Sequence, residues 1–142
     1  MTAEYADGCR RLLSATGADR VTLRLADAAG FPALVAEELA PGVLSMRTGT
    51  PIDPAGYPTY RHLVETGEIL IQTDTRTHPI RPPRSLIEEM RVYAQVLAPI
   101  RRAGRTVGTI SVHIQDRPHR FTAADVAAVR DFQQYVEAGL TG

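Results

Sequence analysis

The chain has 142 residues, 44% of them hydrophobic, and its 16 basic and 16 acidic side chains leave no net charge. That length suits one domain, residues 1–142, able to bury roughly two-thirds of its unfolded surface, and the neutrality provides no electrostatic footprint for nucleic acid or an anionic membrane. No apolar run approaches the ~20 residues of a membrane span, residues 1–8 lack a signal-peptide pattern, and Cys9, the one cysteine, cannot close an internal disulfide, so a soluble, cytoplasmic protein is expected.

In chain order, Thr2 to Ala15 reads as a helix with Tyr5, Cys9, Leu12 and Leu13 on one stripe, stopped at Thr16-Gly17. Arg20 to Ala26 alternates Val21, Leu23 and Leu25 with Thr22, Arg24 and Ala26, as a strand does. After the turn-like Asp27 to Gly30, Phe31 to Leu39 reads as the returning strand of a hairpin. Pro41 to Gly56 is Gly- and Pro-rich loop with a short strand near Leu44, and Pro58 to Thr66 is a helix that Gly67 ends. Ile69 to Gln72 is a brief strand.

Asp74 to Arg84 contains three Pro and three Arg around His78 and cannot be regular. Ser85 to Arg91 follows as a short helix, with Ser85 and Glu88 spaced as a capping box. Two longer strands come next, Tyr93 to Ile100 and Arg105 to Gln115, each with one apolar and one polar face. Asp116 to Arg120 turns the chain into a last helix capped by Thr122, with Asp125 in its first turn and Val126, Val129, Phe132, Val136 and Leu140 at helical spacing. This order predicts an α+β domain around an antiparallel sheet. The terminal helices should cover a dry face of Val21, Leu23, Leu25, Val96, Ile110, Val112 and Ile114, and the middle segment, 41–91, is left for the polar face.

The motifs Thr16-Gly-Ala-Asp-Arg-Val-Thr-Leu, Asp74-Thr-Arg-Thr-His-Pro, Val96-Leu-Ala-Pro-Ile, Arg105-Thr-Val-Gly-Thr-Ile-Ser-Val and Phe121-Thr-Ala-Ala-Asp-Val-Ala-Ala-Val occur in an order and spacing that resemble the GAF domain, the ligand-binding sensor fold of bacterial signalling proteins. The resemblance spans nearly the whole chain. It implies a GAF-like (profilin-like) central antiparallel sheet, N- and C-terminal helices on one face, and a ligand pocket under short helices and loops on the other. Cyclic-nucleotide-binding members carry an Asn-Lys-x-Phe-Asp-Glu signature, which a chain without Asn or Lys lacks. Methionine-sulfoxide-reducing and bilin-linked members need pocket cysteines, and Cys9 stands on the first helix.

The polar face supplies candidate ligand-binding residues: Arg24, Tyr93, Gln95, Thr109, Ser111 and His113, joined by Tyr60 from the middle helix and His78 from the Pro/Arg-rich loop. Arg24 is the sharpest, since a covered guanidinium needs an anionic partner, either a ligand or Glu37 on the neighbouring hairpin strand; the remaining alternative is an exposed strand position. Each other candidate has an ordinary structural alternative: backbone hydrogen bonding for His113, solvation for His78, core packing for Tyr60. No Ser-His-acid trio or paired carboxylates mark a catalytic centre, and no metal-ligand spacing or cofactor motif is present. The expectation is a sensor or regulatory domain for a small polar, anionic metabolite, a homodimer through its terminal helices, with no nucleic-acid or membrane partner. The alternatives are an enzyme acting in the same pocket and a ligand-free interaction module.

Overall fold

A computed structural model describes residues 2–30, 32–53 and 56–140. The sheet is five-stranded and antiparallel, in the order β2-β1-β5-β4-β3, built from β1 (Arg20–Ala26), β2 (Pro32–Leu39), β3 (Leu70–Gln72), β4 (Val92–Arg102) and β5 (Arg105–Gln115). Helices α1 (Thr2–Thr16) and α4 (Ala123–Leu140) pack on one face; α2 (Pro58–Thr66) and α3 (Arg84–Glu88) belong to the middle segment. Phe31, the expected first residue of the returning strand, lies outside the described residues.

The dry face forms as its alternation requires. Val21, Leu23, Val96, Ile110, Val112 and Ile114 are fully buried in one cluster with Tyr5, Cys9 and Leu12 of α1 and Val129, Phe132 and Val136 of α4. Each large apolar side chain buried this way is worth about 1.5–3 kcal/mol, which makes this cluster the main source of stability. The two helices cross closely at Gly8, where a Cβ would stand 2.1 Å from Cε1 of Phe132. At the start of α4, the Thr122 amide donates to Asp125 Oδ2 at 2.9 Å and the Asp125 amide to Thr122 Oγ1 at 3.1 Å, a reciprocal cap for two amides the helix leaves unpaired.

Two smaller clusters hold the middle segment over the polar face. Leu63 of α2 packs with Leu70, Leu97 and Ile80. Leu86 of α3 packs with Met90 and Val92, joined by Met46 and Ile52 of the long loop.

Three local expectations are corrected. The short helix begins at Arg84 with Pro83 as its cap position and makes no side-chain cap; Glu88 pairs with Arg84 at 2.7 Å instead of serving a capping box with Ser85. No strand forms near Leu44, whose carbonyl accepts the Arg20 side chain. The β4 strand runs two residues beyond Ile100, to a tight hairpin at Ala103-Gly104, both with positive φ as a two-residue turn requires.

Candidate functional site

The polar face of the sheet is a set of cross-strand rows. One row runs Arg20, His113, Gln95 and Gln72 across β1, β5, β4 and β3; a second runs Thr22, Ser111 and Leu97; a third pairs Arg24 with Thr109. Opposite these rows stand Met46 and Ile52 from the loop, Tyr57, Thr59, Tyr60 and Leu63 from the α2 region, and Pro83 and Leu86 at α3. Between floor and roof is a cavity of about 70 Å³. The midsection roofs the polar face because its own clusters hold α2 over β3 and β4 and α3 against the start of β4, and the cavity is the space they leave above the floor.

Six of the eight predicted residues line this cavity: Arg24, Tyr60, Gln95, Thr109, Ser111 and His113. Tyr93 does not. A register shift between Val92 and Ala94 takes it out of the pairing, and the Arg76 guanidinium covers its ring at 4.3 Å. His78 is also outside the lining; its Nδ1 accepts the Ile80 amide at 3.1 Å and shapes the loop. The loop arginines are engaged at the surface, Arg76 with Asp74, Arg81 with the Arg76 carbonyl and Arg84 with Glu88.

The most buried charge is one that sequence reasoning passed over. Arg20 is fully buried, and its Nε and Nη2 donate to the Leu44 carbonyl at 3.0 and 2.7 Å. Its Nη1 lies 3.0 Å from His113 Nδ1. A guanidinium has no acceptor to offer, so Nδ1 must accept, and the His113 proton sits on Nε2. His113 itself is held well below the usual histidine range, first by burial and then by the Arg20 and Arg24 charges. It is therefore a neutral ring with one fixed tautomer, and Nε2–H is the polar group it has left to offer the cavity. The signal for Arg20 was present in the sequence: it shares the strand phase of Thr22 and Arg24.

The amide of Gln95 is fixed by a parallel relay. Gln72 Nε2 donates to the Ile80 carbonyl at 2.6 Å, which turns Gln72 Oε1 towards Gln95. Gln95 Nε2 donates to that oxygen at 2.7 Å. Gln95 Oε1 is left buried with no partner among the described residues. Leaving a buried acceptor unmade costs about 1–3 kcal/mol.

Arg24 occupies the other end of the floor. Glu37, its expected internal partner, instead accepts from Ser45 Oγ at 2.5 Å, the Met46 amide at 2.8 Å and Arg47 at 3.3 Å. A register shift between Leu23 and Arg24 places Arg24 opposite Leu34, while Glu37 faces Thr22. The Arg24 side chain makes no hydrogen bond or ion pair among the described residues. Burial pushes its pKa down, and the Glu37 carboxylate only partly offsets this. Cys9 stands in the opposite core, with the sheet between its thiol and the cavity.

The family model for the GAF domain matches residues 4–140. No curated protein matches the chain in sequence. Among solved structures it is similar to the blue-light-absorbing form of the Thermosynechococcus elongatus PixJ GAF domain, at TM-score 0.76 and 18% identity over 96% of this chain and 84% of that one. It is also similar to the GAF domain of a phosphoenolpyruvate-protein phosphotransferase from Coxiella burnetii, at TM-score 0.75 and 22% identity over 96% and 80%. A third similar structure is the free methionine-R-sulfoxide reductase of Neisseria meningitidis in complex with its substrate, at TM-score 0.73 and 16% identity over 96% and 75%. At these identities the structures speak for the fold alone. GAF domains are small-molecule-binding sensor domains, and among the described residues no helix is long and apolar enough to cross a membrane. With the family match over almost its full length and the sheet, terminal helices and roofed cavity in place, the chain belongs to the GAF domain family.

Proposed function

We propose that residues 1–142 act as one sensor unit that binds a small polar, anionic metabolite in the cavity beneath α2 and α3. The observation that carries this reading is Arg24: a half-buried guanidinium on the cavity wall, without an ion-pair partner among the described residues. Desolvating a permanent cation without a counter-charge is costly, and an anionic ligand removes that cost. The cavity of about 70 Å³ limits the ligand to a compact one, with room on the order of five water-sized groups. Thermal shift and calorimetry across short carboxylates, phosphate and nitrate test it. The expected result is a concentration-dependent stabilisation by at least one class that Arg24→Gln loses; a response unchanged in Arg24→Gln overturns the assignment.

Association through the terminal helices is the route by which a signal leaves the domain. A groove between α1 and α4, with Tyr135 half exposed at its side, supports this reading. Light scattering at two protein concentrations reads it, and a purely monomeric protein would remove it.

A further inference from the structure

The two locked side chains of the central row define a second recognition element in the cavity. Gln95 and His113 are paired directly across β4 and β5, and both line the space. The relay through Gln72 to the Ile80 carbonyl dictates that Gln95 offers an acceptor, Oε1, buried and unpartnered among the described residues. The Arg20 guanidinium dictates that His113 offers a donor, Nε2–H. An acceptor and a donor carried by residues paired directly across two strands match one group that both donates and accepts. A hydroxyl is such a group. It gives its proton to Gln95 Oε1 and takes the His113 proton on its lone pair.

Other compact groups fit less well. A nitrate, or an acetate or propionate ionised, has no donor and leaves Gln95 Oε1 buried and unmade. An ammonium has donors but no acceptor, so it would oppose His113 Nε2–H. It would also lie near the Arg20 and Arg24 charges, with no carboxylate among the residues lining the cavity. Arg24 and Thr109 stand four residues along β5 from the Gln95–His113 pair, roughly 13 Å at the backbone; the long Arg24 side chain narrows that gap, since it lines the same cavity and its charge acts on His113.

We propose that the cavity is selective for a short hydroxycarboxylic acid of about five or six heavy atoms, its carboxylate on Arg24 and its hydroxyl between Gln95 Oε1 and His113 Nε2. This rests on the anionic reading above and deepens it. The test is calorimetric titration of the full chain with glycolate and lactate, their donor-free counterparts acetate and propionate, and the amino acids glycine and alanine. In the wild type the hydroxy acids should bind on the order of 10- to 100-fold more tightly than the donor-free acids, and more tightly than the amino acids. In Gln95→Met, which keeps the volume and removes the acceptor, that preference should collapse while acetate binding persists.

Equal binding of glycolate and acetate in the wild type, tighter binding of glycine than glycolate, or an unchanged preference in Gln95→Met overturns the hydroxyl assignment and leaves the anion reading standing. Failure of every carboxylate to bind overturns both. The wild-type ratio needs no variant to fold, so it decides the matter even if Gln95→Met is unstable.

Discussion

Acidification should destabilise this protein through His113, by an amount that follows from its surroundings. The ring is buried, and Arg20 Nη1 already donates to Nδ1 at 3.0 Å, so a second proton would set two donors against each other beside two arginines. The folded protein therefore resists protonation at His113, whereas the unfolded chain takes the proton near 6.5. Because the folded pKa is the depressed one, the stability tied to this group is complete above about pH 6.5 and is lost as the pH falls towards the folded value. The slope is at most about 1.4 kcal/mol per pH unit, so between pH 7 and pH 5 the loss is bounded at about 2 kcal/mol. Urea denaturation at several pH values, compared with His113→Gln, measures it. Gln keeps an acceptor for Arg20 but cannot titrate, so the variant should lose less over that interval, by up to about 2 kcal/mol. Asp74 and Glu89, whose carboxyls are held low by Arg76 and Thr50, act at lower pH and cancel in the difference. Parallel pH profiles for the two proteins would refute the fixed-tautomer account of the site.

Two further outcomes follow from the opposite core. Gly8→Ala gains about 1 kcal/mol of helix propensity but places a methyl group 2.1 Å from a Phe132 ring that the core holds, which costs about 1–3 kcal/mol. Its urea midpoint should fall. Gly139→Ala, with nothing within 4 Å of the new methyl, should show no such fall, and equal effects of the two substitutions would contradict the α1–α4 packing. Burial, reinforced by the Glu38 and Glu37 charges, pushes the Cys9 thiol from 9.0 up to about 12. Its thiolate fraction at neutral pH is then ~10³ lower than for a free thiol, so a disulfide reagent should label it only on unfolding, and prompt labelling of the native protein would place Cys9 elsewhere.

The sheet and its faces were legible in the residues because strand alternation is a local property. Val21, Leu23 and Leu25 could only share a side, as could Ile110, Val112 and Ile114. The same periodicity nominated Gln95, Thr109, Ser111 and His113 as one polar surface. Where backbone register departs from regularity, local reading fails. Tyr93 has the right parity with Gln95 and is nevertheless excluded by the shift between Val92 and Ala94. The Arg24–Glu37 pair is plausible on an unbulged hairpin and is broken by the shift at Leu23/Arg24. His78 was placed by its loop, and nothing in a Pro-rich stretch specifies which way a side chain turns.

The amino-acid order alone thus settled the two-faced alternation of the strands, apart from the irregular start of β4, and with it that two helices cover the dry face and that the midsection must cross the other. It could not settle which polar groups on the covered face satisfy one another. That depends on pairings between β1, β5, β4 and β3, with 93 positions separating Arg20 from its partner His113. Only the assembled fold brought Arg20 to His113 and Gln72 to Gln95, and so decided that, beside the lining hydroxyls, His113 is left with a donor, Gln95 with an acceptor and Arg24 without an ion-pair partner among the described residues. Hydrogen bonding saturates: once a guanidinium or an amide has committed its groups to a neighbour, what remains for a ligand is set by the three-dimensional partners and not by residue type.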